Sequence, residues 1–487
     1  MPPLRSLLLL ALASLLGTPS TAQVPWLDEE QLAALPNVVL LMADDMGWGD
    51  AGYMGHEVLR TPHLDAMAAG GLRFERFYAA SPACSPTRAS LLTGRHGHRH
   101  GVEGSGIGIL RRRETTVGEL FAEVGYATGH FGKWHVGSLL STAEPQHERE
   151  AYGHEGTPSA PWHHGFQTNF STKANVPTWD PMLEPVGNEE KRTWRALADR
   201  AASQPFGMSY WRGPDERVPE DELLGDDSRL MMDQLLAFAR EQAESETPFL
   251  AVVWFHAPHS PVVAGPEDLA LYAEASDDLR TQSYWATLTA MDREIGRLRV
   301  ALRELAIEDD TLLWFCADNG PADRLDGPGV TGGLRGRKGS LFEGGIRVPA
   351  VMEWPGVVGA GTSCPTPVST SDMLPTVLDL AGLGYPLSRP LDGISIAEHV
   401  AEGGAFERPP IYFEFLDERA VIDGRFKLLR YAQAHAEGPQ TMLYDLETDP
   451  GEEHNLAPRY GRRAGRLWEG YLRWRRSVSR SAEGRDY

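Results

Sequence analysis

Three uninterrupted apolar runs constrain this chain more than any other feature. They are NVVLLMADD (37–45), PFLAVVWFHAPH (248–259) and TLLWFCADNG (311–320). A strand with one wet face alternates apolar and polar residues. A strand that is apolar at successive positions is buried on both faces, as in a parallel sheet covered by helices. GELFAEVGYATGHFGKWH (118–135) reads as helix, turn and a fourth strand. Between the runs, TPHLDAMAAGG is a short helix closed by glycines. Leu288, Met291, Ile295, Leu298, Leu302 and Leu305 recur at helical spacing. VPAVMEWPG follows the third run, and SDMLPTVLDLAG (371–382) is a further helix. The alternation predicts an α/β fold, a mainly parallel central sheet sandwiched by helices, over residues 37–384. Residues 138–232, rich in Pro, Trp, His and Gly, read as a loop-rich insertion. From about 385 the pattern becomes antiparallel, with a hairpin around Asp423-Gly424 and a closing Arg-rich helix. Residues 385–487 are therefore expected to form a smaller C-terminal α+β subdomain with an antiparallel sheet. The arginines of its last helix are expected to form a solvated face.

In a parallel sheet, function collects at the carboxyl ends of the strands. Those ends carry Asp44-Asp45, Lys133 and His135, His259, and Asp318-Asn319. Three carboxylates and an amide oxygen form an all-oxygen set suited to a hard divalent cation, calcium above all. Alone, Asp44-Asp45 would pass for helix-capping aspartates. Cys84 precedes Arg88 by one turn of a helix expected to start near Pro86. Lys133 and His135, two apart on a strand, are expected to face the same side. Lys338 lies in the glycine-rich loop GGLRGRKGSLFEGG. Cations and a helix N-terminus converging on one metal describe an oxyanion pocket.

The formal net charge of −22 argues against nucleic acid as a partner. It also means that a site for an anion must build its own positive field. The first residues, MPPLRSLLLLALASLLGTPSTAQ, have the layout of a secretory signal over 1–22, cut after Ala22. No later stretch is apolar for long enough to span a bilayer. The expected location is secreted or periplasmic. Of the three cysteines, Cys316 lies in an apolar strand and Cys364 in a Pro-rich loop, and the spacing leaves a bridge between them open. Cys84 remains as a lone thiol in an exported chain.

Several blocks carry a family resemblance. CSPTRASLLTGR resembles the Cys-x-Pro-x-Arg signature of the type I sulfatases, and GYATGHFGKWHVG (125–137) their second signature. MADDMGWGD, HAPHSP, ADNG, GRKGSLFEGGIRVP and LYDLETDPGEEHNLA (443–457) resemble further blocks, in the family's order. The resemblance implies an alkaline phosphatase-like fold and hydrolysis of sulfate esters. It implies that Cys84 is oxidised by a formylglycine-generating maturation enzyme, which reads Pro86 and Arg88. It implies one Ca²⁺ held by Asp44, Asp45, Asp318, Asn319 and residue 84. One oxygen of the hydrated residue 84 would attack sulfur. Arg88, Lys133 and Lys338 would offset charge on the sulfonyl oxygens, and His259, helped by Lys338, would protonate the leaving oxygen. His135 would assist release of sulfate from residue 84. His256 is a candidate substrate contact or a structural residue.

The substrate is expected to be a sulfated small molecule or, more specifically, a sulfated carbohydrate. Trp162, His163, His164, Trp179, Trp194, Trp211 and Arg212 are the insertion residues suited to sugars. Two alternatives stand beside this reading. One is a phosphate or phosphonate monoester hydrolase of the same superfamily. The other is a secreted protein that binds sulfated glycan without turnover. The sequence does not define the oligomeric state.

Overall fold

The computed structural model describes residues 29–139, 158–188, 192–322, 327–432 and 440–486. The expected signal segment lies outside the described residues. A ten-stranded sheet forms the centre of the larger unit. Its middle is five parallel strands in the order Thr311–Ala317, Asn37–Ala43, Phe249–Trp254, Ala127–Lys133 and Thr168–Thr172. Asn37–Ala43 is buried at every position because it has parallel neighbours on both edges and helices on both faces. Ala350–Glu353 pairs antiparallel to Thr311–Ala317, and Tyr210–Gly213 antiparallel to Thr168–Thr172, so the sheet is mixed at its flanks.

Two groups of helices cover the sheet. One contains Pro62–Gly70, Asp227–Glu244 and Leu279–Glu304, packed on one another. Leu288, Met291, Ile295, Leu298 and Leu302 of the longest helix are buried, as their spacing predicts. The other group contains Cys84–Thr93, Val117–Glu123 and Met373–Leu380. Val117–Glu123 begins with a capping box between Thr116 and Glu119.

The segment expected to be a loop-rich insertion differs from that expectation. Within 138–232 it supplies one of the five central parallel strands, Thr168–Thr172, and two flanking ones, Tyr210–Gly213 and Glu216–Arg217. The Thr168–Thr172 strand, TNFST, lacks an apolar run, yet four of its five residues are buried. Its hydroxyls are satisfied by histidines: Ser171 Oγ lies 2.7 Å from His130 Nδ1, and Thr172 Oγ1 lies 2.7 Å from His256 Nε2.

The antiparallel C-terminal sheet runs Ile411–Phe415, Glu418–Asp423, Phe426–Tyr431, Thr441–Asp445, with the expected hairpin turn after Asp423. Successive residues serve opposite faces. Ala420, Ile422 and Leu429 pack with Tyr78, Leu341 and Ile346 of the larger unit. Val421, Leu428 and Leu443 pack under Leu467, Tyr471, Trp474 and Val478 of the Gly461–Ala482 helix. Arg462, Arg466, Arg473, Arg476 and Arg480 of that helix are exposed, the solvated face expected of them. All three cysteines are free thiols, so the bridge left open between Cys316 and Cys364 does not form. No helix among the described residues is long and apolar enough to cross a membrane.

Candidate active site

The central strands end at one buried cluster of charge. Asp44 and Asp45 follow Asn37–Ala43 directly, and Asp318-Asn319 follow Thr311–Ala317, whose register sets Ala43 beside Ala317. The backbone N–H of Asp45 donates to Asp318 Oδ1 at 3.1 Å and ties the two strand ends together. Asp45 adopts a left-handed φ of 66°, a conformation uncommon for a side-chain-bearing residue and frequent at functional turns.

The cations pair in order. Lys133 Nζ lies 2.5 Å from Asp44 Oδ2. Arg88 Nη2 lies 2.7 Å from Asp318 Oδ2 and 3.3 Å from Asp44 Oδ2, and Nη1 donates to the Lys133 carbonyl at 3.1 Å. The guanidinium also stands over the Trp254 ring, 5.1 Å from its centroid. Lys338 Nζ donates to Asp45 Oδ1 at 2.5 Å and reaches Cys84 Sγ at 3.4 Å. Asn319 Nδ2 donates to the same Asp45 oxygen at 2.7 Å. His259 Nε2 lies 3.6 Å from Asp45 Oδ2, and its Nδ1 donates to the Ser260 carbonyl at 2.6 Å.

Cys84 opens the Cys84–Thr93 helix, two residues earlier than the expected start at Pro86. Pro86 falls in the first turn, where its missing N–H costs nothing. The helix N-terminus brings partial positive charge to the thiol. Ser105, which the sequence did not single out, places Oγ 3.5 Å from Cys84 Sγ.

Asp44, Arg88, Lys133, Asp318 and Asn319 are fully buried. Burial opposes ionisation of Asp44, yet Lys133, His259, Arg88 and Lys338 together hold its carboxyl well below the usual range. Burial and the charge of Asp44 push Asp318 up to about 7 in spite of Arg88. Burial pulls the His259 imidazole down to about 4, against Asp44 and Asp45.

The donor set fits a hard divalent ion. Asp44, Asp45 and Cys84 offer ligand atoms all within 4.8 Å of one another. Asp44 Oδ1 and Asn319 Oδ1 are buried oxygens without a hydrogen-bond donor. A buried carboxylate oxygen and amide oxygen left this way are costly unless a cation or water meets them.

Two expectations change. His135 is not on the strand, which ends at Lys133; it takes a φ of 57° and is half-buried. The alternation that would align it with Lys133 does not extend to it. His256 is fully buried, with Nδ1 2.7 Å from Asp227 Oδ2 and Nε2 2.7 Å from Thr172 Oγ1. Both ring nitrogens are engaged by partners within the fold, which is the structural one of the two readings offered for His256. Among the insertion residues, His164 is buried against Ser159 Oγ at 2.8 Å, Trp194 is buried, Trp211 stands in the sheet and Arg212 pairs with Glu222.

Comparisons with known proteins place the chain in a family. The sulfatase family model matches residues 36–383, and the model for the C-terminal region of N-sulphoglucosamine sulphohydrolase matches 337–464. Arylsulfatase A of Homo sapiens is 33% identical over 462 residues, 87% of this chain and 84% of that protein. N-acetylgalactosamine-6-sulfatase of Rattus norvegicus is 31% identical, covering 80% of this chain and 71% of that one. A solved structure of Ps i-CgsB in complex with k-i-k-neocarrahexaose superposes with a TM-score of 0.74 at 26% identity, covering 90% of this chain and 92% of that one. With its Cys84 cluster at the ends of the parallel strands, the chain belongs to the sulfatase family and is a sulfuric ester hydrolase.

Proposed function

We propose that this protein is exported and hydrolyses sulfate esters of a sulfated carbohydrate, using a formylglycine made from Cys84 and one Ca²⁺. The observation that carries the reading is Cys84 Sγ at a helix N-terminus, 3.4 Å from Lys338 Nζ and within 4.8 Å of a carboxylate oxygen of Asp44, a residue whose Oδ1 is buried without a donor. Asp44, Asp45, Asp318 and Asn319, with residue 84, would hold the ion. Bound there, calcium supplies Lewis acidity at the sulfate oxygens, and hydrated formylglycine supplies the attacking oxygen.

The chain's own residues divide the remaining work. Arg88 spends its N–H groups on Asp318, Asp44 and the Lys133 carbonyl, so it is a positioning residue that holds the carboxylates in place. Lys133 and Lys338 have three N–H donors each, which leaves donors for sulfate oxygens. With one proton of His259 held on Nδ1 by Ser260, Nε2 is the ring atom on the Asp45 side, and the ring has to take up a second proton there, as imidazolium, before it can pass it to the leaving oxygen. His135, half-buried past Lys133, remains the second base. Cys84, Pro86 and Arg88 are all buried, so the maturation enzyme has to meet this segment before the chain folds. The carbohydrate class draws support from the relatives and from the solved structure holding a neocarrahexaose.

The test is sulfate release from protein co-expressed with a formylglycine-generating enzyme, with conversion of Cys84 checked by peptide mass. Sulfated saccharides and matched sulfate and phosphate esters are assayed beside Cys84→Ala. Release from a saccharide, abolished in the variant, supports the reading. Preference for the phosphate ester overturns it.

A further inference from the structure

We propose that Lys427 of the C-terminal sheet is a positioning residue for Lys338: with Glu343 and Glu452 it clamps the loop that carries Lys338 to the smaller subdomain, and so fixes where that ammonium stands beside residue 84. This role rests on the sulfatase reading of the Cys84 cluster, in which Lys338 faces the reacting sulfate.

Lys427 breaks the pattern of its own strand. Phe426–Tyr431 turns Leu429 toward the larger unit, and Lys427, two residues earlier, shares that face. Its cross-strand neighbours are Ile422 and Tyr444, both in the apolar cluster between the two units. Alternation calls for an apolar residue there. The lysine is instead fully buried, with Nζ 2.9 Å from Glu343 Oε1 and 2.9 Å from Glu452 Oε1, and both glutamates are fully buried too. Glu343 Oε2 accepts from the Tyr78 hydroxyl at 2.9 Å and lies 3.6 Å from Arg347 Nη1. Burial opposes ionisation of Glu343, yet Lys427 and Arg347 hold its carboxyl below the usual range. Burying such a network is costly, and apolar residues of similar size often join two units as well or better. What the ions add is a fixed geometry.

That geometry is imposed on the loop around Lys338. The Glu343 N–H donates to Glu452 Oε2 at 2.6 Å, the Leu341 N–H donates to the Glu418 carboxylate, and Arg335 Nη1 donates to the Glu452 carbonyl at 3.1 Å. These anchors bracket Lys338 along the chain. On its other side the same loop meets the site. The Lys338 N–H donates to the Pro321 carbonyl at 3.0 Å, and the Gly339 N–H donates at 2.8 Å to the carbonyl of Pro82, just ahead of Cys84. Inside the loop, backbone lies directly on backbone. A Cβ at Gly345 would stand 2.5 Å from the Arg337 carbonyl, and the Gly344 N–H donates to the Arg335 carbonyl at 2.6 Å. A shift of Glu343 is therefore passed to Arg337 and Lys338 through close-packed backbone. Lys338 Nζ then no longer meets both Asp45 and Cys84.

The test is a double-mutant cycle on kcat. Rates are normalised to folded protein by circular dichroism and to converted residue 84 by peptide mass. The substrate is an aryl sulfate, or a sulfated saccharide that the unsubstituted enzyme cleaves. Lys427→Met keeps the length of the side chain and removes its charge. Glu343→Gln keeps the shape of its side chain and leaves Lys427 paired with Glu452, so it carries the cycle where Lys427→Met does not fold. Each is expected to lower kcat at least tenfold with KM within threefold, since a misplacement of about 1 Å costs about a hundredfold. In the Lys338→Ala background each is expected to change kcat less than twofold, because the group they position is gone. A loss below tenfold in both variants, or a loss that persists in the Lys338→Ala background, overturns the positioning role and leaves the sulfatase reading intact. Absence of sulfate release from every substrate by the unsubstituted enzyme removes both.

Discussion

Asp392 offers a quantitative test of how the closing helix is fastened to the catalytic unit. Its carboxylate accepts from Arg99 Nε at 2.7 Å and Nη2 at 2.8 Å, from the His96 N–H at 2.6 Å and from Trp474 Nε1 at 2.7 Å. The backbone N–H of Asp392 also donates to the Gly94 carbonyl, which caps the Cys84 helix. Burial opposes its charge, but Arg99 and the other donors lower its pKa from 3.8 to about 2. That lowering corresponds to about 2 kcal/mol of folding stability at neutral pH. The folded pKa is depressed, so the contribution is fully present above about pH 4 and is lost as pH falls through about 2. Roughly half of it remains at pH 3 by the same linkage. Asp392→Asn should therefore destabilise the protein by about 2–4 kcal/mol at pH 7, the upper end reflecting the buried Arg99 left without its partner. Urea unfolding followed by far-UV circular dichroism, at pH 7 and pH 3, reads both numbers. A loss below about 0.5 kcal/mol at pH 7, or one equally large at both pH values, would refute the electrostatic account.

Lys338→Ala should lower kcat for sulfate release by about a hundredfold to a thousandfold, because a donor near the nucleophile is removed; the check is steady-state kinetics normalised to converted residue 84. Chelation by EGTA should lower both activity and Tm, with Ca²⁺ restoring both, since an ion bound only by the folded state stabilises it; calorimetry with and without added calcium reads the shift. His256→Ala should cost about 1–3 kcal/mol by removing the buried partner of Asp227 Oδ2 and one of the two partners of Thr172 Oγ1. Its KM should change little relative to its loss of Tm, whereas a substrate contact would show the opposite.

The sequence by itself determined the parallel core, the strand ends and most of the cluster. Asn37–Ala43, Phe249–Trp254 and Thr311–Ala317 are legible because strands buried on both faces must be apolar at every position, and polar residues stand out where the strand leaves the core. Asp44, Asp45, Lys133, His259, Asp318 and Asn319 lie at or just past strand ends, as that logic expects, whereas Cys84 and Arg88 reach the cluster from a helix and Lys338 from a loop. Tertiary structure alone decided what hydrophobic patterning does not encode. The buried strand Thr168–Thr172 was hidden because its hydroxyls are satisfied by histidines of other elements. His256, left open between substrate contact and structural residue, is tied into the core by Asp227, whose place in the Asp227–Glu244 helix brings it 2.7 Å away. His135 leaves the strand's alternation because the backbone turns at a positive φ. A periodic apolar pattern reports local burial, whereas pairing between distant polar groups depends on which segments the completed fold brings into contact.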